Sequence, residues 1–110
     1  MIQAGQIYFI ANVDLGKADY GRPCLVLRAS AHDATVCYFS TKFDLNVGAQ
    51  VTIDESDGDF PATGLKSSSY IMNHPIPDVP LDYFKVAKLR GHATGEFKKK
   101  IEEWYGAPLI

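Results

Sequence analysis

The side chains available for chemistry are few: three histidines, two cysteines, thirteen carboxylates and eleven Lys or Arg residues in 110. No familiar catalytic frame organises them. The chain contains no phosphate-cradling glycine loop, no Gly-x-Ser-x-Gly, no His-Glu-x-x-His and no paired-cysteine motif. Cys24 and Cys37 lie inside apolar runs and read as small buried hydrophobes, with a disulfide between neighbouring strands as the alternative. Neither has a His or second Cys at zinc-ligand spacing, so no metal site and no cofactor are expected. The run Asp54-Glu55-Ser56-Asp57-Gly58-Asp59 superficially resembles a calcium loop. Counted from Asp54, however, its twelfth position is Leu65 rather than a bidentate Glu, and it reads as a solvated turn. His74 offers an imidazole, a group suited to acid/base work near neutral pH, although its Pro-rich surroundings equally suit an incidental loop residue. Lys66 reads either as a phosphate contact or as an exposed strand lysine, and His32 and His92 read as turn residues.

The elements that must position these groups are mostly strands. Gln6–Ile10 is apolar and β-prone, and 14–21 has the Gly and Asp content of a loop. Pro23–Leu27 is a continuous apolar run of the kind a central strand carries, and Ala34–Ser40 is another, after a polar turn at His32-Asp33. Gln50–Ile53 and Ser68–Met72 are shorter strands. Pro75, Pro77 and Pro80 punctuate an irregular stretch, followed by one helical turn at Leu81–Phe84 that Pro80 can open. A sixth strand is expected around Phe84–Leu89. The last segment is helical: Thr94 is the expected cap, Phe97, Ile101, Trp104 and Tyr105 share one face, and Gly106 is the stop. Lys98, Lys99 and Lys100 cover its solvated side. No repeat or low-complexity stretch marks a boundary, so residues 1–110 read as one domain, a small barrel or sandwich.

Composition narrows the class of partner. No apolar run approaches the roughly 18 residues of a membrane span, and the first residues lack the regions of a signal peptide, so a cytoplasmic location and no membrane partner are expected. The net charge of −2 counts mildly against a nucleic-acid binder. Its distribution softens that. Residues 43–80 hold six acidic side chains against one basic, whereas 1–42 hold four basic against three acidic, and 81–110 six basic against four acidic.

Five segments, in order, resemble the MazF/PemK toxins along nearly the whole chain. Gly5-Gln6-Ile7-Tyr8-Phe9 is similar to that family's opening strand, and Gly21-Arg22-Pro23-Cys24-Leu25-Val26-Leu27 to its Arg-Pro-apolar strand. Phe39-Ser40-Thr41 matches the Ser/Thr pair closing the third strand. Thr63-Gly64-Leu65-Lys66-Ser67-Ser68-Ser69-Tyr70-Ile71 resembles the Gly-Leu-Lys-x-x-Ser strand, and Leu89-Arg90-Gly91-His92-Ala93-Thr94 the closing turn before the last helix. The resemblance implies a mainly β, SH3-like barrel with a C-terminal α-helix. It also implies a homodimer that cleaves single-stranded RNA without a metal and is neutralised by an antitoxin.

It further implies a site at Arg22 and Thr41, with Ser40 beside them. Metal-free cleavage uses the neighbouring 2′-hydroxyl as nucleophile, so the protein supplies proton transfer and phosphate stabilisation. A guanidinium at Arg22 and hydroxyls at Thr41 and Ser40 suit that role. The plainer readings are a surface ion pair for Arg22 and turn capping for the hydroxyls. Two departures from the family pattern bear on catalysis. The first loop is short and reads Gly16-Lys17-Ala18-Asp19-Tyr20, leaving Asp19 as its nearest carboxylate and Tyr20 as the aromatic on which an unstacked base would rest. The positions where some relatives carry an Arg and an Asp fall on Met72 and His74. A gyrase-poisoning CcdB-like binding module, or a degenerate member that only dimerises, is the rival expectation on the same barrel.

Overall fold

The computed structural model describes residues 2–10, 22–41, 51–85 and 87–110. Seven strands form it: β1 (Gln6–Ile10), β2 (Arg22–Ala29), β3 (Asp33–Ser40), β4 (Val51–Ile53), β5 (Ser69–Ile71), β6 (Ile76–Pro80) and β7 (Lys88–His92). A four-residue helix α1 (Phe60–Thr63), a 3-10 turn (Leu81–Lys85) and helix α2 (Gly95–Tyr105) complete the described elements. The strands make one antiparallel sheet in the order β4-β5-β3-β2-β1-β7, curled into a half-barrel. β3 is its hub: β2 pairs along one edge, while β6 and β5 share the other, β6 against Asp33–Val36 and β5 against Phe39–Ser40.

Strand alternation explains why β2 and β3 are written as unbroken apolar runs. Successive side chains point to opposite faces, and here both faces are buried. Ile7, Leu25, Leu27, Cys37 and Phe39 point to one core, which Val51, Ile53 and Ile71 join from the far strands. Phe97 and Ile101 of α2 close it. Tyr8, Ile10, Cys24, Val26 and Val36 point the other way, into a second core with Val79 and Phe84. Each fully buried aliphatic or aromatic side chain contributes about 1.5–3 kcal/mol. Phe84 meets Tyr8 edge-on at 5.3 Å, and the Tyr8 hydroxyl donates to Gln6 Oε1 at 3.1 Å. Burial raises the Tyr8 phenol above its ordinary pKa. The two thiols are free and lie on opposite faces, Cys37 in the first core and Cys24 in the second, so the disulfide alternative does not arise.

Three elements depart from the sequence expectation. The Pro-rich stretch forms strand β6 rather than an irregular segment. It pairs with β3 on one side alone, so Pro77 and Pro80 occupy an edge, where a missing N–H is tolerated. Asp78, at φ 60°, lies where the register slips between Val79 and Ile76. The sixth strand expected at Phe84–Leu89 begins later, as β7 at Lys88, because Phe84 and Lys85 belong to the 3-10 turn. The third departure concerns α2. Phe97, Ile101, Trp104 and Tyr105 pack inward and Gly106, at φ 82°, ends the helix, all as the spacing predicts. Thr94 holds the N-cap position but makes no side-chain cap of its own. Instead Asp59 reaches across: its Oδ2 accepts from the Phe97 N–H at 3.4 Å and its Oδ1 from the Thr94 hydroxyl at 3.2 Å. The acidic run is thus only partly a solvated turn, since its last carboxylate caps a helix 35 residues away. No described helix is long and apolar enough to cross a membrane.

Candidate functional site

The end of the sheet where β1 and β3 finish and β2 begins gathers most of the residues singled out from sequence. A concavity of about 220 Å³ opens there. Phe9, Pro23 and Leu65 supply its apolar surface. Thr41, Ser67 and Ser69 supply hydroxyls, and Lys66 and Arg90 supply charge, with Gly64 completing the lining. None of these nine residues is acidic. Among the described residues, the only ion pairs are the exposed Lys85–Asp82 and Lys99–Glu96, so neither Lys66 nor Arg90 has a carboxylate partner there.

Backbone packing holds the two cations in fixed relation. The end of α1 and Gly64 after it lie directly on β7. Gly64 takes a left-handed φ of 70°, and a Cβ there would come 2.7 Å from the Arg90 carbonyl carbon. A Cβ on Gly91 would come 2.6 Å from the Thr63 carbonyl carbon. Both glycines are therefore required by a backbone-to-backbone contact that no other residue permits. Buried Thr63 fastens the same turn, donating its hydroxyl to the Phe60 carbonyl at 2.6 Å and accepting from the Leu65 N–H at 3.1 Å.

Arg90 owes its position to a bulge. Ile7 pairs with Gly91 and Tyr8 with Leu89, so Arg90 is an extra residue on β7 with no partner on β1. Its guanidinium carbon lies 5.0 Å from the Phe9 ring centroid. Sequence reasoning placed Arg90 in a turn and assigned it no role. The available signal was Gly91, a glycine inside a strand, which marks a bulge or a close backbone approach.

The sequence candidates divide into four groups. Thr41 and Lys66 meet in the concavity. Arg22 and Ser40 stand at the same end of β2 and β3 but outside its lining. By alternation Arg22 shares a face with Cys24, opposite to Pro23, and its guanidinium carbon lies 5.5 Å from the Tyr38 ring centroid. It pairs with no carboxylate among the described residues, so the surface ion-pair reading of Arg22 finds no partner there. His74 is exposed in the link between β5 and β6, two residues past Met72, whose N–H donates to the Tyr38 carbonyl. That level lies three strand residues, on the order of 10 Å, from Thr41. Asp19 and Tyr20 lie outside the described residues.

The two thiols are fully buried, and their surroundings favour the protonated form. Burial pushes Cys24 up to about 12, against a smaller lowering by Arg22. Cys37 is pushed higher still by burial, with Cys24 adding to it. Among the described residues no three His, Cys, Asp or Glu side chains group as metal ligands. No model of a known protein family matches the sequence, and no characterised protein matches it.

Proposed function

We propose that the chain is a toxin-type endoribonuclease on an SH3-like barrel of MazF/PemK kind, dimeric, cutting single-stranded RNA and neutralised by an antitoxin. One observation supports this most: a concavity with two cations unpaired among the described residues, three hydroxyls and no acidic lining, at the strand ends where Arg22 and Ser40 also stand. A phosphodiester suits such a lining. Lys66 and Arg90 match its charge, and Thr41 offers a hydroxyl to a non-bridging oxygen. In the reaction the ribose 2′-oxygen attacks the adjacent phosphorus and the bond to the 5′-oxygen breaks. A 2′,3′-cyclic phosphate and a 5′-hydroxyl result. Lys66 and Arg90 at the concavity, with Arg22 brought in from the adjoining strand end, stabilise the charge that develops on phosphorus-bound oxygen. The 2′-hydroxyl proton passes to a base and the 5′-oxygen takes one up; Asp19 and His74 are the groups proposed for these transfers.

A second reading has its own support. None of the nine lining residues is a carboxylic acid or an imidazole, the usual proton carriers near neutral pH. That favours a non-catalytic binding module on the same barrel. The two readings separate in one assay, incubation of a long single-stranded RNA with purified protein in EDTA. The enzyme reading predicts cuts at defined sites with cyclic-phosphate ends, reduced at least 100-fold in Lys66→Ala and Arg22→Ala. Intact RNA across several sequences, with folded wild-type protein, overturns it in favour of the binding module.

A further inference from the structure

Arg90 is an exposed cation held from three sides. The bulge on β7 releases it from pairing, Gly64 and Gly91 fix its backbone against residues 62–64, and Phe9 lies beneath its guanidinium. A guanidinium packed on an aromatic ring can still offer N–H donors and a flat face to a further planar group. No carboxylate among the described residues occupies those donors. Unpaired nucleobases stack on aromatic rings and on guanidinium planes alike. We infer that Arg90, seated on Phe9, is the stacking platform for one unstacked nucleobase of a single-stranded RNA, with Lys66 holding a neighbouring phosphate. The inference rests on the ribonucleic-acid reading of the concavity and adds to it the residue that selects single strands.

The size of the site agrees. At about 220 Å³ the concavity is below the roughly 300–1,000 Å³ of sites that enclose a drug-sized ligand. One base with its phosphate can rest there partly exposed, as a segment of a longer strand does. Double-stranded RNA offers no unstacked base, so Arg90 would meet it as a charge alone. Lysine supplies that charge without a flat face, which makes Arg90→Lys the informative substitution. Arg90 is exposed, so neither Lys nor Ala at that position disturbs a core.

The experiment uses a 2′-O-methyl RNA hexamer, which cannot be cleaved because its nucleophile is blocked, with 2-aminopurine at one position. Binding is read by anisotropy and base stacking by quenching of 2-aminopurine. Arg90→Lys is expected to weaken hexamer binding roughly 5- to 150-fold and to abolish the quenching, leaving binding of a duplex RNA unchanged. Lys66→Ala is expected to lower the salt slope by about 1 and leave quenching in the bound state intact. Wild-type affinity and quenching in Arg90→Lys, with Lys66→Ala weakened, would overturn the platform and leave the RNA reading standing. Unchanged binding in both variants would overturn both. Competition for the site by an acidic peptide but not by the hexamer would assign it to a protein partner and overturn both as well.

Discussion

Replacing Gly64 with alanine tests whether α1 and β7 are held together as closely as the site requires. Two penalties combine at this position. An L-residue at φ 70° loses roughly 1–2 kcal/mol. The added methyl would come 2.7 Å from the Arg90 carbonyl carbon, where optimal carbon contacts are at about 3.5–4.0 Å. Relieving that overlap through backbone movement costs about 1–3 kcal/mol. The sum, about 2–5 kcal/mol, is a large part of the roughly 5–15 kcal/mol that stabilises a domain of this length. Two other glycines isolate the contributions. Gly106 has a φ of 82° with no atom within 4 Å of an added Cβ, so its alanine variant carries the dihedral cost alone. Gly58 has neither the positive φ nor a neighbour, so its alanine variant is neutral or stabilised by up to about 1 kcal/mol. Urea unfolding followed by Trp104 fluorescence reads all three. With m near 2 kcal/mol/M, the midpoint falls by about 1–2.5 M for Gly64→Ala and by about 0.5–1 M for Gly106→Ala. A Gly64→Ala variant no less stable than Gly106→Ala would refute the contact between Gly64 and the Arg90 backbone, and with it the fixed spacing of Lys66 and Arg90.

Asp59→Ala removes the carboxylate that caps α2 from a distant turn and is expected to cost about 1 kcal/mol, with Asp59→Asn losing less; thermal unfolding of both variants measures it. Native Cys24 and Cys37 are expected to resist a thiol reagent at pH 8 and to react fully in denaturant, as titration with that reagent would show. The same thiols give a pH dependence with a defined sign. The unfolded thiol ionises near 8.5 and Cys24 in the folded chain near 12, so the folded state holds more protons in that window. Stability contributed by the protonated thiol is full below pH 8.5 and falls as pH rises, by about 1 kcal/mol per pH unit for each thiol, and Cys24→Ala should shallow the decline seen in urea midpoints at pH 8–11.

Continuous apolar runs made the central strands legible, and a 3.6-residue apolar period did the same for the face of α2, because both follow from local apolar spacing. β2 and β3 run as Arg22–Ala29 and Asp33–Ser40, close to the bounds their apolar runs suggest. Proline chemistry concealed β6: Pro77 and Pro80 argue against a strand unless the neighbour lies on one side alone, and sequence does not show which strand is an edge. The cap from Asp59 was illegible for a similar reason. Thr94 sits where a local cap belongs, while the acceptor that is used joins it only through tertiary packing. At the site, Thr41 and Lys66 line one concavity across 25 residues of sequence. Arg90 escaped notice because its importance comes from a slipped register on β7, which no residue pattern encodes, although Gly91 hinted at it.

The Asp59 clasp also bears on the order in which the molecule can assemble. An isolated eleven-residue helix is marginal in water, and the carboxylate that completes α2 belongs to the turn between β4 and α1. The first core needs Phe97, Ile101 and Leu109 to be complete. During synthesis, then, the strands emerge with that face of the sheet still wet, and they stay so until residues 95–109 clear the ribosome. Folding should thus be a late, nearly all-or-none event dominated by contacts distant in sequence. Before it, the uncovered face of β2 and β3 is where a chaperone would bind and where aggregation would begin.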